Sequence, residues 1–338
     1  LTLLGENGLL TLASGDIHAL GAGADITLTA DDLDFISGED RVIASGDLLV
    51  QAHQLDWDYL LGGAAEVTAS ENEIARAFHT GSMAMGLRDF AALANGFATI
   101  TVGRRNAGNT MTIGDLFDIG TIKMTGADPS DTSDDLARTR SNGAGDHAEL
   151  GDHTIFLSDD LQVKGDVRAS GNTLELRAQT ISINAKNSVN PLGLPDSGVA
   201  AETVLIQADD QLHVGGWVVG DILVDIDVPS TTGVNPTGTG MYVTPPNGVT
   251  SLLTDLTSRI ESLDAGSQVL VDLSKGAQVF GRIEVHGAGS QIKIALDGDF
   301  LLNEGANLVA EDANSLIEVT TGGLMAINSG SAVSAGLR

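Results

Sequence analysis

The first regularity along the chain is a short alternation of apolar and polar positions that returns at intervals of roughly twenty residues. LTLASGDIHAL from Leu10, ITLTADDLDFI from Ile26 and LLVQAHQLDWD from Leu48 carry apolar side chains at corresponding places. These are Leu10, Leu12 and Ile17, then Ile26, Leu28 and Leu33, then Leu48, Val50 and Leu55. The second half repeats the theme with Leu174, Leu176, Ile181 and Ile183, and again with Ile317, Val319 and Leu324. Two copies hold one extra turn residue: Val204, Ile206, Leu212 and Ile292, Ile294, Phe300. Alternation with period two turns one set of side chains inward and the other to solvent. Each copy therefore predicts two short strands joined by a polar corner such as Ala-Ser-Gly-Asp or Ala-Asp-Asp. Hairpins favour Asn-Gly or Asp-Gly between longer strands, whereas these corners are short and recur with the strands at intervals of roughly twenty residues.

The expected fold is all-β, a right-handed parallel β-solenoid (β-helix) with short helical and loop insertions. No coil can bury its own apolar face, so each depends on its neighbours. At about twenty residues per coil the chain would make on the order of fifteen coils, about 70 Å long. An antiparallel β-sandwich is the competing arrangement.

The pattern is interrupted, which divides the chain. Residues 1–125 read as N-terminal coils with a short helical insertion near 70–96. There Ser70 and Glu73 form a capping-box pattern, and Asp89 and Gly96 bracket a second short helix. Residues 126–151 read as a polar loop insertion. Residues 152–338 read as C-terminal coils with loop insertions near 186–200 and 229–248 and a flanking helix near 251–264. Leu252, Leu253, Leu256, Ile260 and Leu263 stand at helical spacing in that last segment. An opening in mid-pattern, LTLLGENGLLTL, is expected of a piece of a longer protein.

Composition sharpens this picture. The chain of 338 residues is 42% hydrophobic yet holds only 2 Trp, 2 Tyr and 8 Phe, alongside 42 Gly. That fits a thin aliphatic core with many tight turns and excludes a disordered chain. The net charge of −29 argues against nucleic acid, whose phosphates require a basic stripe, and against anionic membranes. It leaves room for hard cations such as Ca²⁺. With no cysteine, disulfides and Cys-based zinc sites are excluded. No apolar run approaches the ~18 residues of a membrane helix, so no membrane insertion is expected.

ADITLTADDLDFISG at 24–38, FAALANGFATITVGRRNAGNTMTIGD at 90–115 and LQVKGDVRASGNTLELRAQTISI at 161–183 resemble the giant repetitive surface proteins of proteobacteria, the filamentous-haemagglutinin-like adhesins. The resemblance implies export to the bacterial cell surface, a right-handed β-helix, and a role in adhesion, aggregation or fibre building. No secretion or anchoring segment and no GGxGxD calcium nonapeptide accompanies it.

Candidate chemistry is sparse. Adjacent aspartates occur at Asp31-Asp32, Asp134-Asp135, Asp159-Asp160 and Asp209-Asp210. Paired carboxylates serve glycoside hydrolysis, but Asp at a corner is favoured by turn chemistry, which is the expected role of these pairs. GDHAELGDH offers Asp146, His147, Glu149, Asp152 and His153 as ligands for Zn²⁺ or another divalent ion, although the spacing matches no established motif. Trp57 and Tyr59 share one strand face, as an aromatic patch or as a packed contact. GAGAD and NGAGD lack the Lys-Ser/Thr of a phosphate loop, and no serine sits in a nucleophile elbow.

The expected function is a structural or adhesive segment of a large extracellular β-solenoid, without catalysis. Expected partners are neighbouring solenoid repeats or copies of itself, and surface glycans or cell receptors. A homopolymeric sheath or filament subunit and a carbohydrate-active β-helix enzyme are the alternatives.

Overall fold

The computed structural model describes residues 1–35, 38–62, 81–105, 108–114, 122–124, 136–138, 150, 152–183, 198–229, 239–243 and 258–336. Strands repeat as triplets along the chain, and each triplet is one winding of a parallel β-solenoid. The winding from Arg259 is typical: Arg259–Ser262 lies on a first face, Gln268–Leu273 on a second and Gly276–Val279 on a third. Each strand pairs in parallel with its counterpart one winding on, Arg282–Val285, Gln291–Leu296 and Phe300–Leu302. Hydrogen bonds between stacked coils join residues 22 apart (Gln51 to Thr29), 23 apart (Ser267 to Ser290) and 25 apart (Asn328 to Asn303).

The second face carries the longest ladder. It runs from the start of Thr2–Leu12 through Ile26–Phe35, Asp47–Gln51, Thr99–Gly103 and Thr154–Leu157. It continues through 173–178, 203–208 and 223–228 to Gln268–Leu273, Gln291–Leu296 and Leu316–Thr321. Eleven stacked strands, at about 4.8 Å per step, make a body about 50 Å long. This is shorter than a twenty-residue coil repeat implies, because the insertions consume much of the chain.

Inward positions form continuous columns. Ile26, Leu48, Ile100, Thr154, Leu174, Val204, Val224, Val269 and Ile292 stack on the second face, all buried. Val167, Val199, Val218, Ile260, Ile283 and Leu308 stack on the first. Met111, Leu161, Ile181, Leu212, Met241, Ala277 and Phe300 stack on the third. The apolar members all belong to one core. Residues 100–103 pair directly with 154–157 and 110–113 with 160–163, so the coils on either side of 126–151 are one stack.

Several sequence expectations are corrected. Leu10 and Leu12 stack under Leu33 and Phe35, not under Ile26 and Leu28, because Leu3 already occupies the place below Leu28. Leu55 is exposed, since its corner runs longer than in the other copies and the strand resumes only at Asp58. Leu324 is likewise exposed, and Met325 takes the position above Phe300. Residues 239–243, expected within a loop, form a strand that places Met241 in the core between Leu212 and Ala277. Of the expected helix at 251–264, Arg259–Ser262 is a strand, because tight stacking on 217–220 outweighs helical spacing. Residues 251–257 lie outside the described residues. So do the capping box at Ser70 and Glu73, and 186–197 of the expected loop at 186–200, whose last residues join Gly198–Val214. Within 126–151, Leu136–Arg138 pairs antiparallel with Ile122–Met124.

The short helix near Asp89 does form, over Leu87–Ala91, with Gly86 in the capping place. Asp89 works from inside the first turn: Oδ2 accepts the Gly86 N–H and Oδ1 the Phe35 N–H, both at 2.8 Å. This fully buried carboxylate ties the helix to the strand Ile26–Phe35. Asp89→Ala leaves two buried amides without these acceptors and should cost about 2–4 kcal/mol by denaturant unfolding. Asp89→Asn, keeping one acceptor oxygen, should cost roughly half as much.

Candidate functional site

Corner aspartates are structural wherever they are described. Asp31 Oδ1 accepts the Gln54 N–H at 3.3 Å, and Asp32 Oδ1 accepts those of Leu33 and Ala84. Asp159 caps Gly108 N–H, while Asp160 receives the Thr180 hydroxyl at 2.8 Å and the Gln162 amide at 2.7 Å. Asp209 pairs with Arg105, and Asp210 with Lys275 at 2.5 Å. Turn chemistry is thus the right class, but most of these bonds reach another coil instead of closing their own turn. Asp134-Asp135 lie outside the described residues.

Of the histidine-cluster candidates, Asp146, His147 and Glu149 lie outside the described residues. Asp152 commits its carboxylate to the N–H groups of Gly96, at 3.0 and 3.1 Å, and Phe97, at 3.2 Å. His153 stands 3.4 Å from Glu175, which also holds Arg177 at 2.5 Å. The two residues thus serve different neighbours. Tyr59 is fully buried, with its hydroxyl accepting the Ala52 N–H, and Trp57 packs against the core: a packed contact rather than an exposed patch.

Parallel register brings together a cluster that no local motif announces. On the outside of the first face, Glu261 stacks on Glu284, and the Arg259 column runs beside them to Arg282. Each carboxylate meets the arginine two residues earlier: Glu261 Oε2 lies 3.2 Å from Arg259 Nε, and Glu284 Oε1 contacts the Arg282 guanidinium. His286 follows on the next outward position and spans two coils. Its Nδ1 is 3.0 Å from Glu311 Oε2, and its Nε2 is 2.8 Å from Glu261 Oε1. Glu261 and Glu284 are only 8% and 5% exposed although both point away from the core. Burial pushes the Glu284 carboxyl above its ordinary range, while Arg282 opposes the shift. The signal available in sequence was the recurrence of Arg-Ile-Glu at 259–261 and 282–284.

The second outward cluster is purely acidic. Asp227 stacks on Asp272, with Asp225 two residues away on the same face. Partial burial and mutual repulsion raise the carboxyls of Asp225 and Asp227, and Asp221 rises by burial and by Asp264 and Glu202. A carboxyl raised in the folded state costs stability when ionised, and that cost is relieved as pH falls through the raised value toward the unfolded value of about 3.9. Asp227→Asn should therefore raise the melting temperature at pH 7 by a small amount, discounted for solvent screening. It should also weaken any stabilisation on mild acidification or added salt. Calorimetry of both proteins from pH 7 to 5 checks this.

Among the described residues no helix is long and apolar enough to cross a membrane. Comparison with protein-family models, curated proteins and solved structures returned no match.

Proposed function

We propose that the chain is a structural and adhesive length of a large extracellular or cell-surface β-solenoid protein, akin to the filamentous-haemagglutinin-like adhesins, that mediates attachment, aggregation or fibre formation. The observation that carries this reading is the single core shared by successive coils. A body whose interior is common to all its windings grows in one dimension and presents repeated outward columns along its flank. That geometry suits holding surfaces apart or together. The carboxylate pairs that a polysaccharide-cleaving enzyme would need are, where described, engaged in backbone caps and ion pairs. Strong net negative charge keeps such a rod from associating indiscriminately. Its partners are then neighbouring coils or further copies, and surface glycans or receptors.

A homopolymeric filament is the second reading. It is supported by the same shared core, since copies stacked end to end would extend the common interior just as successive coils do. Electron microscopy of the purified chain, with cell-attachment and aggregation assays on chain-coated beads, tests both readings. Rods with bead attachment support the first, and long filaments of regular axial repeat support the second. Compact non-adherent particles that release new reducing ends or unsaturated products from polysaccharides would overturn both.

A further inference from the structure

We propose that Glu261, Glu284 and His286 form a binding site for a divalent transition metal of the Zn²⁺ class, with Glu311 orienting the histidine. Glu311 fixes the imidazole: with Oε2 at 3.0 Å from Nδ1, that nitrogen donates its hydrogen to the carboxylate. In the neutral imidazole with its hydrogen on Nδ1, Nε2 presents a lone pair. Nε2 faces Glu261 Oε1 at 2.8 Å, yet no hydrogen bond joins them, and Nε2 is shut off from solvent. Glu284 Oε1 is also buried and receives no aligned hydrogen bond, although the Arg282 guanidinium beside it balances its charge. One ligand atom from each of the three residues lies within 4.8 Å of the others. The imidazole nitrogen and the carboxylate oxygens converge with Nε2 and Glu284 Oε1 shut off from water, and the three carboxylates outnumber the two arginines beside them, which leaves net negative charge for a cation to neutralise.

The donor set selects the ion. One imidazole nitrogen with carboxylate oxygens suits Zn²⁺ and its neighbours, whereas Ca²⁺ takes six to eight oxygens. Zinc holds such ligands at about 2.0–2.2 Å, and small rotations of the two glutamates would bring the atoms that close. The Glu311–His286 contact is the carboxylate–histidine arrangement that orients metal-binding imidazoles. Arg259 and Arg282 offset part of the excess negative charge, as a site for one dication requires. Because Glu261, Glu284 with His286, and Glu311 come from three successive coils, the ion would clamp those coils together.

The test is titration of the untagged, chelator-treated chain with Zn²⁺, Mn²⁺ and Ca²⁺ by calorimetry, with Co²⁺ as an optical probe. A single Zn²⁺ equivalent should bind, raise the melting temperature, and be lost in His286→Ala and Glu284→Gln. Glu311→Gln should weaken binding by about tenfold or more, as expected of an orienting partner. His153→Ala should leave it unchanged. Bound Co²⁺ should show the intense visible absorption of a four-coordinate site. Circular dichroism of each variant separates lost binding from lost fold. The proposal is overturned if the folded chain takes up no Zn²⁺, or if uptake survives His286→Ala. It also fails if nitrogen NMR finds His286 doubly protonated at neutral pH with Zn²⁺ present, which would make a proton the cation. None of these readouts depends on whether the rod is adhesive.

Discussion

Phe156→Ala should destabilise the protein by about 3–5 kcal/mol, whereas Ile155→Ala and Leu157→Ala should each cost less than about 1 kcal/mol. Phe156 is fully buried between Val102 and Leu176 in the second-face column, with its strand neighbours turned outward. Truncating it removes a large ring from a core that is thin and otherwise mainly aliphatic, and the coils above and below cannot close the gap without breaking their own register. Since each coil is stabilised mainly through its neighbours, the damage should be uneven: the windings around 99–113 and 154–183 should melt before the rest. Hydrogen exchange on the variant would show protection lost there first. Equal costs at 155, 156 and 157 would mean that the alternation does not separate core from surface.

Gly103→Ala is the second large effect. Gly103 has φ +100°, and a Cβ there would run into the Leu157 carbonyl oxygen of the next coil and the Met111 methyl. Backbone strain and collision with fixed backbone act together, so a loss of about 3 kcal/mol or more is expected. Gly171 provides the control: its φ of +68° is similarly left-handed, but nothing lies within 4 Å of its notional Cβ. Gly171→Ala should cost only about 1 kcal/mol. Urea unfolding of the two variants separates the close approach between coils from the conformational preference alone.

The parts of this fold that could be read from sequence are those in which one strand is its own evidence. Leu174, Leu176, Ile181 and Ile183 alternate so cleanly that their inward face is unambiguous, and the structure buries all four. Register between coils is a different matter, because the alternation is the same on every face. Leu10-x-Leu12 could sit under either Ile26-x-Leu28 or Leu33-x-Phe35, and only the whole winding decides for the latter. Helical spacing misled at Ile260, which a four-residue strand between neighbouring strands buries, and at Leu263, which lies just past that strand and is exposed. The metal-site candidate was missed for a related reason. A cluster such as GDHAELGDH is visible because its residues adjoin in sequence. Glu261, His286 and Glu311 meet only because residues about one coil apart lie one on another. Asp152 shows the converse: near His153 in sequence, it turns to the backbone at Gly96 and Phe97.

The most direct measurement of the stacking uses the absence of native cysteine. Spin labels placed by Cys substitution at outward positions of the second face would report distance against coil number. Thr101, Ile155, Glu175, Leu205, Asp225, Leu270 and Lys293 follow one another in register along that face. Parallel stacking at about 4.8 Å per step puts positions 175 and 293 about 19 Å apart and positions 101 and 293 about 29 Å apart, each in a narrow distribution. A 101–293 distance no longer than the 175–293 distance would contradict a common stacked interior.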